Sequence, residues 1–299
     1  MDASSPARTR VGLIGVGLLG SVIAERLLAG GFAVVGYDLV PAQLVSLRAL
    51  GGETAPDAGA VFRSCERIIL SLPAHEQVQG VLREYTEDLR PGTVILDTTT
   101  GDPSAAEALA PELALRGITY LDATISGSSA QTRAGTAVLM VGGEKAGFAA
   151  CADLFSRLGR QSFHTGGPGT GAKMKLATNV VLGLNRVALA EGLAFAVGIG
   201  IDPAQALAVM QAGPAYSKIM DAKGPKMLRG EFSPEARLAQ HLKDVRLILR
   251  WGDLAGLPMP LSKAHQAILE AAEAAGLGEL DNSAVYQLLQ PAAVSDRQP

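Results

Sequence analysis

The stretch RVGLIGVGLLGSVIAERLLAGGFAVVGYD, residues 10–38, decides the fold. Its first six residues are an apolar run that ends in glycine, which is typical of a buried strand. Residues 16–31 carry apolar side chains at helical spacing and end at a glycine pair, a common signal for the end of a helix. Residues 32–38 form a second apolar run that closes at an aspartate. This order of strand, helix and strand predicts a βαβ unit in a parallel sheet.

A glycine pattern, G-x-G-x-x-G, lies between the first strand and the helix at Gly15, Gly17 and Gly20. The first glycine permits a tight turn, the second lets a pyrophosphate approach the backbone, and the third lets the helix pack close to the strand. Leu18 and Leu19 lie at the start of the helix, where unpaired N–H groups and the helix dipole favour an anion. The pattern in this context predicts a dinucleotide-binding loop.

Asp38 ends the second strand, about 18 residues beyond Gly20. A carboxylate at this position accepts hydrogen bonds from the ribose 2′-hydroxyl of NAD and repels the 2′-phosphate of NADP. Residues 39–43 contain no lysine or arginine that could bind such a phosphate. The sequence therefore predicts NAD as the cofactor, against the alternative of a turn aspartate in an unrelated α/β protein.

Strands continue to alternate with helix-prone segments as far as residue 143. Further strands are predicted at residues 66–73, 93–99, 118–124 and 137–143. The last is a candidate for an antiparallel strand, because the glycine-rich turn before it is too short for a helical crossover. Strands that alternate with helices predict a sheet covered by helices on both faces.

The pattern changes at the breaker cluster GGPGTG, residues 166–171, after which no strand is predicted. Residues 173–200 are apolar for long enough to span a membrane, but polar residues interrupt them, which favours a buried central helix. We therefore expect an α/β protein with a Rossmann doubly wound sheet followed by an all-α domain with a long central interdomain helix. The expected bounds are 8–165 for the NAD-binding domain, 166–290 for the helical substrate and dimerisation domain, and 291–299 for a flexible tail.

Composition narrows the class of protein. The 299 residues are 48% hydrophobic and 18% charged, with a net charge of −3, so a nucleic-acid or membrane-surface partner is not expected. Cys65 and Cys151 are too few for a disulfide framework, and the first ten residues have no apolar signal segment, which predicts a cytoplasmic protein. The four histidines are scattered without metal-ligand spacing, so no metal site is predicted.

The central helix opens with GTGAKMKLATN, residues 169–179. Gly171, Lys175 and Asn179 are four residues apart and share one helix face, whereas Lys173 points elsewhere and suits a solvated first turn. A lysine and an asparagine on a buried helix are costly unless they face a polar cavity. We therefore expect Lys175 and Asn179 to line a site in the interdomain cleft.

Four motifs together resemble those of the β-hydroxyacid dehydrogenase family over roughly residues 9–290. This family includes 3-hydroxyisobutyrate dehydrogenases, tartronate semialdehyde reductases and glyoxylate/succinic semialdehyde reductases. The motifs are GLIGVGLLG at 12–20, DATISGS at 122–128 with AGTAVLMVGG at 134–143, G-x-x-x-K-x-x-x-N at 171–179, and Lys243-Asp244 in HLKDVRLIL. The resemblance implies an NAD-dependent oxidoreductase that interconverts a small β-hydroxyacid and its semialdehyde or oxo acid.

The resemblance also implies roles for single residues. Lys175 would be the general acid in reduction and the general base in oxidation, with Asn179 positioning the substrate or the lysine. A small carboxylate substrate would be bound by Ser126, Gly127, Ser128 and Asp244. The cofactor would contact Leu72, Pro73, Thr100 and Lys243, in addition to the glycine loop and Asp38. The buried helices of the second domain further suggest a homodimer or homotetramer.

Two positions depart from the family pattern. Ser128 stands where the family usually has glycine, and Ala236 stands where it often has an aromatic residue. Phe232 is a candidate to replace that aromatic residue, and Arg237 could add a second anion contact. Both departures affect the expected carboxylate pocket and therefore the identity of the substrate. An imine reductase of the same fold and a non-catalytic dinucleotide-binding protein remain as alternatives.

Overall fold

The structure is a computed structural model that describes residues 9–290. The predicted tail, residues 291–299, lies outside the described residues. Contacts divide the chain into two compact units, of which the first ends at Lys175 and the second begins at Leu176.

The first unit is built on one sheet of eight strands in the order β3-β2-β1-β4-β5-β6-β7-β8. All neighbouring strands pair in parallel except β6 and β7, so the strand near residue 140 is antiparallel, as its short connection suggested. The strands are β1 (Arg10–Ile14), β2 (Ala33–Tyr37), β3 (Glu53–Thr54), β4 (Arg67–Leu70), β5 (Val94–Asp97), β6 (Thr119–Ser126), β7 (Val138–Gly142) and β8 (Gln161–Gly166).

Helices cover both faces of this sheet. Neighbouring residues of β4 show the division, since Ile68 lies in the apolar cluster on one face and Ile69 in the cluster on the other. The sheet is therefore of the Rossmann type, buried on both sides as predicted. The helices of the unit are α1 (Leu18–Ala29), α2 (Pro41–Ala49), α3 (Ala58–Ser64), α4 (His75–Glu84), α5 (Pro103–Ala114), α6 (Ser129–Arg133), α7 (Lys145–Ala150) and α8 (Ala152–Leu158), with a 3-10 turn at Thr86–Asp88.

The second unit is helical. Its elements are the greater part of α9 (Thr170–Gly198), then α10 (Pro203–Ala212), α11 (Lys218–Arg229), α12 (Leu238–Leu254), α13 (Pro260–Ala272) and α14 (Val285–Leu289), with a π turn at Glu273–Leu277 and a 3-10 turn at Asn282–Ala284. By length and composition alone, α9 could cross a membrane. However, Leu189, Ala190 and Leu193 on this helix are at most 1% exposed and belong to the core of the helical unit. α9 is thus packed as a core helix.

Several elements were not predicted from the sequence, among them α6, which lies where a glycine-rich turn was expected. β3 has only two residues, and β8 is a half-exposed strand without an apolar run. α11 contains Gly224 and Pro225, which normally signal the end of a helix, yet both lie within it. In each case the element is held by its neighbours in the fold, and the local sequence signal is weak.

A buried ion pair ties α11 to the segment before α14. Lys223 is 5% exposed and Asp281 is not exposed at all, with the Nζ atom 2.9 Å from Oδ1 and 3.0 Å from Oδ2. Ser283 also donates to Asp281 through its hydroxyl at 2.6 Å. Burial alone would raise the pKa of Asp281, but Lys223 and Ser283 outweigh it and hold the pKa at about 2. The pair joins two segments that are distant in sequence.

We expect Lys223→Met to destabilise the folded chain by about 3–5 kcal/mol, because it leaves the Asp281 carboxylate buried without its cation. Urea unfolding at neutral pH measures the change. Because the pKa of Asp281 is lower in the folded chain than its ordinary value of 3.8, the pair stabilises the fold above pH about 4 and loses this effect as the pH falls toward 2. The difference between the two proteins should shrink over that range.

Arg229→Met is the matched control for the lysine substitution. Arg229 pairs with Glu231 on the surface, where both side chains are more than half exposed, so its loss should cost about 0–1 kcal/mol. A Lys223→Met protein as stable as this control would contradict the assigned role of the buried pair.

Candidate cofactor and active site

Each glycine of the loop between β1 and α1 has a different structural setting. Gly15 has a φ of 91°, and a Cβ atom there would overlap the carbonyl oxygen of Ser71. A Cβ atom at Gly20 would overlap the carbonyl oxygen of Gly15. Gly17 borders open space, since a Cβ atom there would have no described residue beyond its chain neighbours within 4 Å. It also caps α1 without a side-chain hydrogen bond, so the first turn keeps backbone donors for an anion.

Asp38 fastens this loop to the end of β2. Its Oδ2 atom accepts a hydrogen bond from the N–H of Val16 at 2.7 Å, and its Oδ1 atom accepts one from Val40 at 2.8 Å. A carboxylate has about four acceptor positions, so these two bonds leave capacity for a ribose hydroxyl. Leu39, the next residue, is 85% exposed and carries no charge. The loop and Asp38 together fit the pyrophosphate and ribose of a dinucleotide.

The segments that follow β4 and β5 are joined by hydrogen bonds at the carboxyl edge of the sheet. Thr98 donates through its hydroxyl to the carbonyl oxygen of Leu70 at 2.8 Å, and the N–H of Leu72 donates to the hydroxyl of Thr99 at 3.2 Å. Leu72 and Pro73 therefore lie on the same edge as Thr100, which follows Thr99. In doubly wound sheets this edge is the one that binds ligands.

Lys175 lies against the end of β6. Its Nζ atom donates to the carbonyl oxygen of Ile125 at 2.7 Å, next to Ser126 and Gly127. Gly127 has a φ of 150°, a conformation that favours glycine. The structure thus brings the predicted catalytic lysine together with the start of the predicted carboxylate-binding segment.

Ser128 has a structural contact that the sequence did not reveal. Its hydroxyl accepts a hydrogen bond from the N–H of Gln131 at 3.2 Å, and the side chain of Gln131 accepts one from the N–H of Ser128 at 2.9 Å. The two residues form a capping box at the start of α6. The serine at this departure from the family pattern therefore stabilises the helix that follows.

In the helical unit, Asn179 and Asp244 are in contact. Asn179 is 4% exposed, and its amide nitrogen donates to Oδ2 of Asp244 at 3.2 Å. Asp244 is 7% exposed on α12, and the adjacent Lys243 is half-buried. α9 and α12 thus bring together two of the predicted substrate residues, and the pairing satisfies a buried amide that would be costly alone.

The polar face of α9 continues beyond the predicted site. A Cβ atom at Gly183 would lie 2.6 Å from Cε1 of His265 and 2.7 Å from Nε2 of His241, so the glycine makes room for both rings. The two ring centroids are 5.2 Å apart. Gly183 and Arg186 follow Asn179 at intervals of four and three residues, which keeps them on its helix face.

Arg186 is a buried cation whose surroundings could not be predicted from the sequence. It is 3% exposed, and its Nε and Nη1 atoms have no hydrogen-bond partner among the described residues. Burial lowers the pKa of Arg186 to about 10, even though the charge of Asp281 opposes this change. Burial and the nearby Arg186 lower the pKa of His265 to about 4. His265 is therefore neutral at physiological pH, and Arg186 remains charged.

No group of three His, Cys, Asp or Glu side chains suited to a metal ion occurs within residues 9–290.

The fold and the glycine loop define a dinucleotide-binding protein of the doubly wound class. Comparison with known proteins identifies the family within this class.

Two family models match adjacent parts of the chain. Residues 10–166 match the NAD binding domain of 6-phosphogluconate dehydrogenase, and residues 169–289 match a domain described as NAD-binding of NADP-dependent 3-hydroxyisobutyrate dehydrogenase. The chain is 32% identical to 2-hydroxy-3-oxopropionate reductase of Escherichia coli (strain K12) over 94% of this chain and 97% of the relative. It is 31% identical to 2-(hydroxymethyl)glutarate dehydrogenase of Eubacterium barkeri over 93% and 94%, respectively.

A solved structure shares the fold over its whole length. The 3-hydroxyisobutyrate dehydrogenase of Mycobacterium tuberculosis aligns with a TM-score of 0.86 and 24% identity, over 95% of this chain and all of that chain. The chain belongs to the β-hydroxyacid dehydrogenase family. It is accordingly an NAD(P)-dependent oxidoreductase that acts on CH–OH groups, and its relatives are named as dehydrogenases and reductases.

We expect Arg186→Met to stabilise the fold by about 1–4 kcal/mol, because it replaces a buried charge that lacks hydrogen bonds at Nε and Nη1 by an apolar side chain of similar length. Urea unfolding measures the change. Arg246→Met is the control, since Arg246 pairs with Glu270 on the surface and its loss should change stability by less than about 1 kcal/mol. Destabilisation by Arg186→Met would contradict the expectation that the buried charge is a net cost.

Proposed function

We propose that this protein is an NAD-dependent oxidoreductase that interconverts a small β-hydroxyacid and its semialdehyde or oxo acid, with Lys175 as the general acid and base. The observation that carries this proposal is the 2.7 Å hydrogen bond from the Lys175 ammonium to the Ile125 carbonyl. It holds the lysine beside Ser126 and Gly127, within a family whose members act on hydroxyl groups.

The bound nicotinamide supplies the chemistry of hydride acceptance and donation. Lys175 handles the proton: in oxidation its neutral amine removes the hydroxyl proton, and in reduction its ammonium protonates the carbonyl oxygen. The positive charge of the ammonium also stabilises the negative charge that develops on that oxygen. The hydrogen bond to Ile125 fixes the direction of the side chain, which this role requires.

Substrate binding is assigned to a carboxylate receptor and two supporting side chains. The hydroxyl of Ser126 and the N–H group of Gly127 are donors suited to a carboxylate. Ser128 is assigned to the same pocket, although its own N–H group already donates to Gln131. Asn179 and Asp244 are assigned to positioning the substrate, and their 3.2 Å hydrogen bond supports a joint role. Relatives named for 2-(hydroxymethyl)glutarate and 2-hydroxy-3-oxopropionate support small hydroxyacids and their oxo forms as substrates.

The cofactor is proposed to be NAD in preference to NADP. Asp38 places a carboxylate beside the glycine loop, and Leu39 offers no charge for a 2′-phosphate. Repulsion between that phosphate and Asp38 would weaken NADP binding. Leu72, Pro73, Thr100 and Lys243 are assigned to the remainder of the cofactor. Cys65 and Cys151 are free, buried thiols, which suits the reducing cytoplasm that we propose as its compartment.

The experiment that tests this function is a panel of hydroxyacids assayed for NADH formation. It includes 3-hydroxyisobutyrate, 2-(hydroxymethyl)glutarate, glycerate, 3-hydroxypropionate, threonate and 4-hydroxybutyrate, each with NAD+ and with NADP+. We expect turnover with NAD+, and Lys175→Ala should lower kcat by about 10²–10⁴-fold, because it removes the proton-transfer group.

Lys173→Ala is the matched control, because Lys173 lies two residues away, is 44% exposed and pairs with Glu107 on the surface. Its kcat should stay within about threefold of the wild type, as for most surface changes. Full activity of Lys175→Ala would disprove the catalytic assignment, and a preference for NADP+ would disprove the cofactor assignment.

We further propose that the protein forms a homodimer or homotetramer through the helical unit. Large apolar side chains remain exposed there, among them Phe195 at 66%, Ile199 at 56% and Val209 at 66%. Exposed apolar patches on a folded chain commonly mark an interface. We expect light scattering to give a mass of two or four chains.

We expect Phe195→Glu to lower this mass, because it places a charge in the apolar contact. Leu115→Glu is the control: Leu115 is 91% exposed but lies in the first unit, so the same change there should leave the mass unaltered. A wild-type mass of one chain would contradict the proposed assembly.

A further inference from the structure

Asp122, the first residue of the motif at 122–128, is a buried carboxylate on β6 to which the proposed chemistry assigns no role. It is 3% exposed. Its Oδ1 atom accepts a hydrogen bond from the N–H of Gly169 at 2.9 Å, and its Oδ2 atom accepts one from the N–H of Ala172 at 2.8 Å. Both donors belong to the first turn of α9 or to the residue before it. These are the backbone groups of a helix that have no acceptor within the helix itself.

The next polar side chain of β6 contacts the same turn. Thr124 donates through its hydroxyl to the carbonyl oxygen of Gly171 at 3.0 Å. Residues two apart on a strand point to the same face, so Asp122 and Thr124 both face α9. The residues between and beside them, Ala123 and Ile125, lie in the apolar core on the opposite face. β6 thus contacts the start of α9 through two polar side chains, Asp122 and Thr124.

The backbone at the start of α9 lies so close to β6 and β7 that a side chain larger than hydrogen has no space at the contact. A Cβ atom at Gly171 would overlap the carbonyl oxygen of Asp122 and lie 2.7 Å from that of Met140. A Cβ atom at Gly142, on β7, would lie 2.7 Å from the backbone nitrogen of Gly171. Gly171 is the first residue of the G-x-x-x-K-x-x-x-N motif, so the motif begins where the backbone of α9 touches the sheet.

Lys175 follows one turn later and contacts the same strand through the Ile125 carbonyl. β6 therefore holds both the start of α9, through Asp122, and the end of the Lys175 side chain. A shift of the first turn would move Lys175 relative to its acceptor. The dipole of α9 adds a favourable charge interaction with the carboxylate at its N-terminus.

We propose that Asp122 is the positioning residue of the catalytic lysine: its carboxylate fixes the first turn of α9 on β6 and thereby sets the location of the Lys175 Nζ atom. This inference rests on the proposed role of Lys175 as general acid and base. Asp122 does not touch the reacting atoms and acts through the helix. Burial raises the pKa of Asp122 to about 6, and the N–H groups of Ala172 and Gly169 oppose this, so these bonds favour the ionised form.

The test is a double-mutant cycle with Asp122→Asn and Lys175→Ala, assayed on the best substrate of the panel. An asparagine can accept from only one of the two N–H groups, so the helix start loses one hydrogen bond. We expect Asp122→Asn to lower kcat by about 10–100-fold, since a displacement near 1 Å can cost this much, with the Kd for NADH within about threefold of the wild type. In the Lys175→Ala background the same change should lower kcat by less than about threefold, because the group it positions is gone.

Asp57→Asn is the matched control, since Asp57 caps α3 by accepting from the N–H of Ala60 at 2.7 Å. Asparagine keeps the single acceptor oxygen that this cap needs, so the variant measures the general effect of an Asp-to-Asn change at a helix start, and its kcat should remain near that of the wild type. If Asp122→Asn does not fold, Thr124→Val tests the same contact, with an expected loss of about 3–10-fold in kcat that again disappears without Lys175.

Three outcomes have distinct meanings. Equal losses from Asp122→Asn with and without Lys175 would overturn the positioning role and leave Asp122 as a structural residue. Unchanged kcat in Asp122→Asn, with Lys175→Ala inactive, would overturn this inference but preserve the proposed function. Wild-type activity of Lys175→Ala would instead refute the proposed function itself.

Discussion

The first turn of α9 lies against the carbonyl oxygens of β6 and β7, with no room for a side chain at Gly171 or Gly142. Two backbone chains that approach so closely must satisfy their polar groups within the contact, because water cannot enter. Asp122 and Thr124 do this for the N–H groups and the carbonyl group of the helix start. The candidate site depends on this contact, since Lys175 is carried by the turn that it fixes.

The helical unit contains two buried cations, Lys223 and Arg186, that differ in how their charge is compensated. Asp281 offsets the charge of Lys223 directly, whereas Arg186 forms no ion pair within residues 9–290 and is affected by the charge of Asp281 at a greater distance. A buried charge without a close counter-charge lowers stability, and its retention normally reflects a constraint other than folding. The polar face of α9, from Asn179 to Arg186, is therefore not explained by packing alone. The buried polar side chains of this face lower the stability of the fold.

Much of the fold follows from the sequence because its signals are local. The glycine loop, the apolar strands and the helix ends each occupy a few consecutive residues, and the short connection before β7 indicated its antiparallel direction. β3 and α11 were missed because their own sequences are weak: two residues carry too little pattern, and Gly224 with Pro225 resembles a helix end. Such elements are determined by contacts with distant segments, here the Lys223–Asp281 pair in the case of α11.

The candidate site could be predicted in part for the same reason. Lys175 and Asn179 stand out because a lysine and an amide are unexpected on an apolar helix, and Asp38 because it ends a strand at a known distance from a glycine loop. The cluster of His241, His265 and Arg186 could not be predicted, since its members come from three helices whose packing the sequence does not reveal. Gly183 is a local trace of this cluster, because it leaves space for both imidazole rings.

β6 has one feature that its own sequence predicts and one contact that its sequence does not predict. Its alternation of Leu121, Ala123 and Ile125 with Asp122 and Thr124 predicts a strand with one apolar and one polar face, although nothing local identifies what the polar face meets. In the folded chain that face meets the start of α9, and the main chain of the same strand accepts the hydrogen bond of Lys175. Because a one-residue slip would exchange the two faces, the apolar core that holds the register of β6 also holds the lysine in place. Core packing and the geometry of the candidate site are thus set by the same strand.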